Sequence, residues 1–200
     1  MSYRALAVLA LLVVLAGCSS LKETDTGRTA TEQMLLSTAA DRAAEQVATK
    51  IPTGTTVFID ERFVEGADAK YAIAAIRDHV LRRGASLVAE RKDAAMAVEL
   101  RIGALSIDDK NTLVGIPDFG VPIPLAGNVN VPEIALFKKR RRQGVIKLAA
   151  TTMDAKTGEL VQAGDPVYGF AQKTDWGLLF FFSWTRNDLM PDQDNVWVGK

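Results

Sequence analysis

The chain has 200 residues, of which 48% are apolar and 24% charged, and its 24 basic residues balance its 24 acidic ones. These proportions exclude collagen-like, low-complexity and charge-rich disordered chains, and the length suits one domain. A single cysteine and a single histidine exclude an internal disulfide framework, a Cys-based zinc site and a His-rich metal centre, and a formal charge of zero gives no global pull toward nucleic acid.

The first element is a targeting segment. Arg4 is followed by the apolar run Ala5–Leu15 (ALAVLALLVVL). That run is too short to span a bilayer, which takes about 20 residues, but fits a secretory h-region. The quartet Leu15-Ala16-Gly17-Cys18 then resembles the lipobox of bacterial lipoproteins. The resemblance implies that residues 1–17 are a signal peptide and that Cys18 receives a diacylglycerol. It also implies that the chain is cut before Cys18 and that the new α-amine is acylated. Two or three acyl chains make a stable anchor, where one is marginal. Ser19 stands where an Asp would favour the inner membrane, so the same resemblance implies a lipid anchor in the outer membrane, facing the periplasm. The alternatives are an ordinary signal peptide with a chance cysteine, or a buried N-terminal helix. Cleavage before Cys18 removes only one charged residue, Arg4, and the rest stays near neutral.

Residues 18–28 are polar and read as a lipidated tether, and residues 29–200 as a single α/β domain. Leu35, Ala39, Ala43, Val47 and Ile51 recur every four residues, with Leu36, Ala40, Ala44 and Ala48 beside them. This predicts a helix with a broad face of small residues, suited to close approach. Thr29 and Glu32 form a candidate capping box, and Pro52 and Gly54 end the element. Thr55–Asp60 (TTVFID) predicts a strand. A second helix is expected from about Asp68, its cap, to Arg83, stopped by Gly84. Leu87–Ala89 is a short strand. Ala94–Ile107 is a longer one, with Met96, Val98, Leu100, Ile102, Ala104 and Ser106 on one face and Glu99 and Arg101 marking the wetter side. Val145–Met153 is a strand, Asp154–Gly158 a turn and Leu160-Val161 the return. Val167–Lys173 and Leu178–Trp184 are further strands. The order predicts an α+β fold (α/β sandwich), with two helices in the N-terminal half packed on a mixed, mainly antiparallel sheet.

Three stretches are candidates for function. Leu113–Phe137 holds four of the seven prolines and only two charges, Asp118 and Glu133. It predicts a Pro-rich apolar loop at 111–143, because proline interrupts helices and central strands. Apolar loops often complete a core, so an Ω-like loop folded over the sheet is the expectation. The alternative is a surface that enters lipid or a partner's groove, with Phe119 and Ile123 in contact. Lys138, Lys139, Arg140, Arg141 and Arg142 follow. They read as a charged turn that guards a strand edge, or as a contact for anionic headgroups. Trp176–Trp184 (WGLLFFFSW) reads as a strand buried on both faces, or as a subunit or membrane contact.

The acidic pairs Asp60-Glu61 and Asp108-Asp109 fit no calcium loop and read as solvated turns, and His79 reads as a structural or surface residue. The chain has no G-x-S-x-G, P-loop or Rossmann pattern, so no catalytic residue, metal or cofactor is assigned. The segments Met34–Ala43, Pro122–Gly127, Pro132–Phe137 and Phe182–Thr185 resemble a family of uncharacterised bacterial lipoproteins. More loosely, the layout is similar to envelope-assembly lipoproteins of curli secretion and flagellar assembly. The resulting expectation is a non-enzymatic, lipid-anchored envelope protein that binds or scaffolds an envelope protein partner or itself, and does not bind nucleic acid. The alternatives are a subunit of an oligomeric secretion or channel assembly, and a periplasmic enzyme.

Overall fold

The computed structural model describes residues 27–65, 68–123, 127–179 and 181–189; the signal segment, Cys18 and residues 19–26 of the tether lie outside them. The elements in chain order are α1 (Ala30–Ala48), β1 (Thr56–Asp60), α2 (Ala69–Arg82), β2 (Ser86–Leu87), β3 (Met96–Ile116), β4 (Phe119–Ile123), β5 (Gly127–Val131), β6 (Ile134–Asp154), β7 (Leu160–Ala163), β8 (Val167–Leu178) and β9 (Phe182–Asn187). The capping box at α1 forms in both directions: Glu32 N–H donates to Thr29 Oγ1 (3.3 Å) and Thr29 N–H to Glu32 Oε2 (2.9 Å). Asp68 occupies the N-cap position of α2 as expected, and its carbonyl accepts from Ala72 N–H (3.5 Å), but its side chain makes no capping bond. Its carboxylate is drawn instead to Arg28, at the start of α1.

Seven strands form one mixed sheet in the order β2-β1-β3-β6-β8-β9, with β7 also beside β6. β1 lies parallel to β2 and β3, and every other pairing is antiparallel. Both helices pack on one face, so the fold is α+β, two N-terminal-half helices on a mainly antiparallel sheet. The small residues of α1 serve as expected. Leu35, Ala39, Ala43 and Val47 are buried against Ile146, Leu148 and Ala171 of the sheet. The sheet answers with glycine. Gly144 sits under the Leu35 carbonyl and Gly169 under that of Ala39, with no room for a Cβ. The helix therefore rests backbone against backbone on β6 and β8.

One buried charge closes the end of β1. The Asp60 carboxylate accepts from Arg62 Nε (2.9 Å), from its terminal NH2 (2.7 Å) and from its backbone N–H (3.2 Å). Those bonds to Arg62 outweigh burial and hold the Asp60 carboxyl below its ordinary value. The stabilisation is complete above the unfolded carboxyl value of about 4 and is lost as pH falls through the lower folded value. Asp60→Ala is expected to cost about 1–2 kcal/mol at neutral pH, through the lost charge-assisted hydrogen bonds from the exposed Arg62. Urea titrations at neutral and acid pH check this, and the gap to the parent should narrow below about pH 4.

The largest departure from the sequence pattern is in the second half of the chain. Residues 111–143 are not a Pro-rich loop closing the core. Asn111–Ile116 continue β3, residues 134–143 begin β6, and β4 and β5 form a separate two-stranded ribbon at the far end. The prolines sit where a ladder can spare an N–H. Pro117 and Pro132 link ribbon to sheet, and Pro122 lies in the ribbon, where each strand has a free edge. Trp176–Trp184 is not one buried strand either. It turns at Leu179, giving the β8–β9 hairpin, with Phe181 86% exposed. A bulge at Gly103 also changes the faces of β3. Gly103 and Ala104 both oppose Lys147, so Ile102 before the bulge and Leu105 after it both pack toward the helices.

Candidate functional site

The base of the face away from the helices is sealed by a small cluster of Ala94, Ala97 and Ala155 with Phe58 and Met153. Beyond it this face is uncovered, and strand register arranges its side chains in rows. Past Arg101, bonded to Glu99 and Thr151, Tyr168 and Phe170 stack at 6.3 Å, with Lys147 over Tyr168. A polar row follows, Asp108, Gln143 and Gln172. Next comes a cationic row, in which Lys110 pairs with Arg141, Arg141 with Thr174 and Thr174 with Arg186. Then Thr112, Lys139, Trp176 and Trp184 lie abreast. Their two indoles stack at 5.9 Å, and the Lys139 ammonium is 5.8 Å from the Trp176 ring. The last row, Val114, Phe137, Leu178 and Phe182, is wholly apolar. The β4–β5 ribbon continues from there, with Phe119 opposite Val131 and Val121 opposite Val129 on one face and Gly120 opposite Asn130 on the other.

The five-cation run is split by the pleat, because alternate residues of a strand face opposite ways. Lys138, Arg140 and Arg142 point to the helix side, and each meets a carboxylate: Glu133 at 2.7 Å, Asp109 at 2.5 Å and Asp175 at 3.4 Å. The bond from Arg140 holds the Asp109 carboxyl below its ordinary value. The same bond raises Arg140, with further help from Asp175 and Glu32. Lys139 and Arg141 face the other way. Among the described residues Lys139, Arg141, Lys110 and Arg186 have no carboxylate partner, and Arg141 bonds only the Gln143 amide (3.2 Å). The run is thus neither a turn nor one solvated block. Three of its cations are structural, and the other two join cations from β3 and β9.

The other sequence candidates fall as follows. Phe119 is exposed on the ribbon. Ile123 ends β4, and its side chain lies outside those described, as does Cys18. Asp60 and Asp109 are held by guanidinium groups, and among the described residues no three His, Cys, Asp or Glu side chains come together to hold a metal ion. Sequence reasoning missed Lys110 and Arg186, which are 31 and 45 positions from their row partner Arg141. Only the pairing of β3, β6, β8 and β9 brings them together.

A shallow hollow of about 720 Å³ lies beside the start of α1. Its polar groups are already engaged, Arg28 with Asp68 and the Tyr71 hydroxyl with Asp41 at 3.2 Å. It offers no convergent set of free groups for chemistry.

No helix among the described residues is long and apolar enough to cross a membrane. No curated protein and no solved structure matches the chain. A family model does match, over residues 12–178, and the chain belongs to that family, DUF6655, a family of unknown function.

Proposed function

We propose that the protein is a lipid-anchored component of the cell envelope with a non-enzymatic binding role, and that its binding surface is the distal end of the uncovered sheet face. The observation that carries this reading is the exposed apolar surface there. Val114, Phe119, Leu178, Phe181, Phe182 and Trp184 are all exposed within one end of the fold. Soluble monomers rarely leave so many large apolar side chains contiguous and uncovered, and such patches mark contact sites. The lipobox-like quartet ending in Cys18 supports the anchor. Cys18→Ala is expected to abolish incorporation of a fatty-acid analogue and to release the protein from the membrane fraction, because no thiol remains to take the diacylglycerol. Label retained in that variant sinks the anchor.

A second reading, a subunit of an oligomeric envelope assembly, is favoured by two free sheet edges. The outer edge of β3 pairs with β1 only as far as Glu99, and β9 has one neighbour, β8, among the described strands. Sedimentation of the detergent-solubilised protein separates the two, since an assembly through those edges is a defined multimer.

A further inference from the structure

Resting on the lipid-anchor reading, we propose that the distal uncovered face docks on the anionic bilayer that holds the anchor, with Lys110, Arg141 and Arg186 on lipid phosphates and Val114, Leu178 and Phe182 at the acyl boundary. The order of the rows is the first argument. From the Asp108–Gln143–Gln172 row toward the tip, the side chains run from polar to cationic, then to indole plus lysine, then to purely apolar. This is the order a bilayer presents from water inward: anionic headgroups, the interfacial level that tryptophan and lysine prefer, then acyl chains.

The unpaired state of the cations is the second argument. Carboxylates neutralise Lys138, Arg140 and Arg142 of the basic run, yet among the described residues none pairs with Lys110, Arg141 or Arg186. Thr174 lies between the two arginines in register and is buried although its face is uncovered, as expected if their stems lie over it.

The third argument is where the anchor enters. Leu35 lies over Gly144, and Glu32, one turn before it, acts on Arg140. The first residue of α1 is therefore level with the cationic row. From there the eleven residues 19–29 reach at most about 43 Å to Cys18. The described chain thus begins level with the docking face, and the tether starts from there. The tether keeps the local concentration of membrane high, so a weak contact is populated.

The free edges limit the depth. Unpaired N–H and C=O groups along β3 and β9 cannot enter hydrocarbon, so the contact lies in the headgroup–acyl boundary, about 5–10 Å deep.

The test uses the full chain, processed and lipidated in cells and carrying Trp197→Phe, so that Trp176 and Trp184 are the emitters among its three tryptophans. It is reconstituted in phosphatidylcholine vesicles with or without phosphatidylglycerol, with bromine on the acyl chain either near the headgroup or near the methyl end. Docking predicts strong quenching by the shallow label in anionic vesicles, weaker quenching by the deep label, and little in phosphatidylcholine alone. Replacing Lys110, Arg141 and Arg186 together by Gln should shift the docking equilibrium on the order of a hundredfold, since each cation contributes roughly fivefold at an anionic surface. Lys156→Gln, in the exposed turn after β6, should leave it unchanged, and circular dichroism confirms that both variants fold. Four results overturn the proposal: no quenching in anchored protein, quenching equal in both lipids, quenching insensitive to the triple change, or stronger quenching by the deep label. Emission already blue-shifted in a detergent-solubilised multimer also overturns it, because a second copy then covers the face. If mass spectrometry finds no acyl group on Cys18, the anchor reading fails instead, and the same quenching series on added vesicles decides the docking by itself.

Discussion

Gly169→Val is expected to abolish cooperative folding or to destabilise the domain by about 3 kcal/mol or more. The Ala39 carbonyl lies against Gly169, with Ile146 Cγ2 at 2.9 Å from the position of an added Cβ. Neither neighbour can yield cheaply, since one is helix backbone and the other a fully buried core side chain. The helix would have to lift, opening the contacts of Leu35, Ala39 and Ala43 with the sheet. Overpacking a core usually costs about 1–3 kcal/mol, and backbone contact on the obstructing side places this change at or above the top of that range. A domain stable by about 5–15 kcal/mol loses a large share of its stability. Gly144→Val should behave alike, one helical turn away against Leu35. Gly177→Ala is the control, because its added Cβ meets Lys138 Cβ at an ordinary 3.8 Å and should cost no more than about 0.5 kcal/mol. Urea midpoints measure all three. Coincident midpoints for Gly169→Val and Gly177→Ala would show that α1 is not seated on the glycines.

Leu148→Ala and Phe182→Ser should differ in stability by several kcal/mol, although the second change removes the larger side chain. Leu148 is 0% exposed, so its truncation leaves a cavity costing about 2–5 kcal/mol. That corresponds to a fall in Tm of about 5–15 °C for a domain of this size. Phe182 is 63% exposed and surrenders little buried area, so Phe182→Ser should stay within about 0.5 kcal/mol. The same holds for Phe119→Ser on the ribbon. A core-closing loop would have made Phe119→Ser the destabilising change. Its position outside the core moves the expected effect from melting to binding. A large loss of Tm in Phe182→Ser would mean that the β8–β9 turn is held by packing this account omits.

The helices, β1 and the Asp154–Gly158 turn were legible because their signals are local. The period of four in α1, the Thr29–Glu32 box and the Asp154 side chain bonding the N–H groups of Lys156 and Thr157 all lie within a few residues. The distal sheet was not legible, for three physical reasons. Prolines signal broken ladders, yet here they occupy links and free ribbon edges. Five adjacent cations read as a solvated block, yet the partners of Arg140 and Arg142 are Asp109 and Asp175, 31 and 33 residues away. The uncovered face has no apolar alternation over Asp108–Thr112, because its rows pass through water-facing groups. What the composition of Trp176–Trp184 does signal is a large apolar payload; burial was the wrong inference because β8 and β9 form the margin of the sheet.

The bulge at Gly103 sets the parity of the rest of β3. Before it, even-numbered residues of β3 face the helices, and after it odd-numbered ones do. A chain shorter by that one residue would keep its sequence and exchange its sides. Lys110 would turn in toward the ion pairs beneath α1, and Asp109 would leave Arg140 for the exposed cations of the opposite surface. The contribution of β3 to this arm, Asp109 on the side where charge is cancelled and Lys110 on the side where it is left free, therefore hangs on a single glycine. Loss or gain of one residue there is the shortest route by which a descendant chain could exchange the two faces of β3 without altering a single side chain.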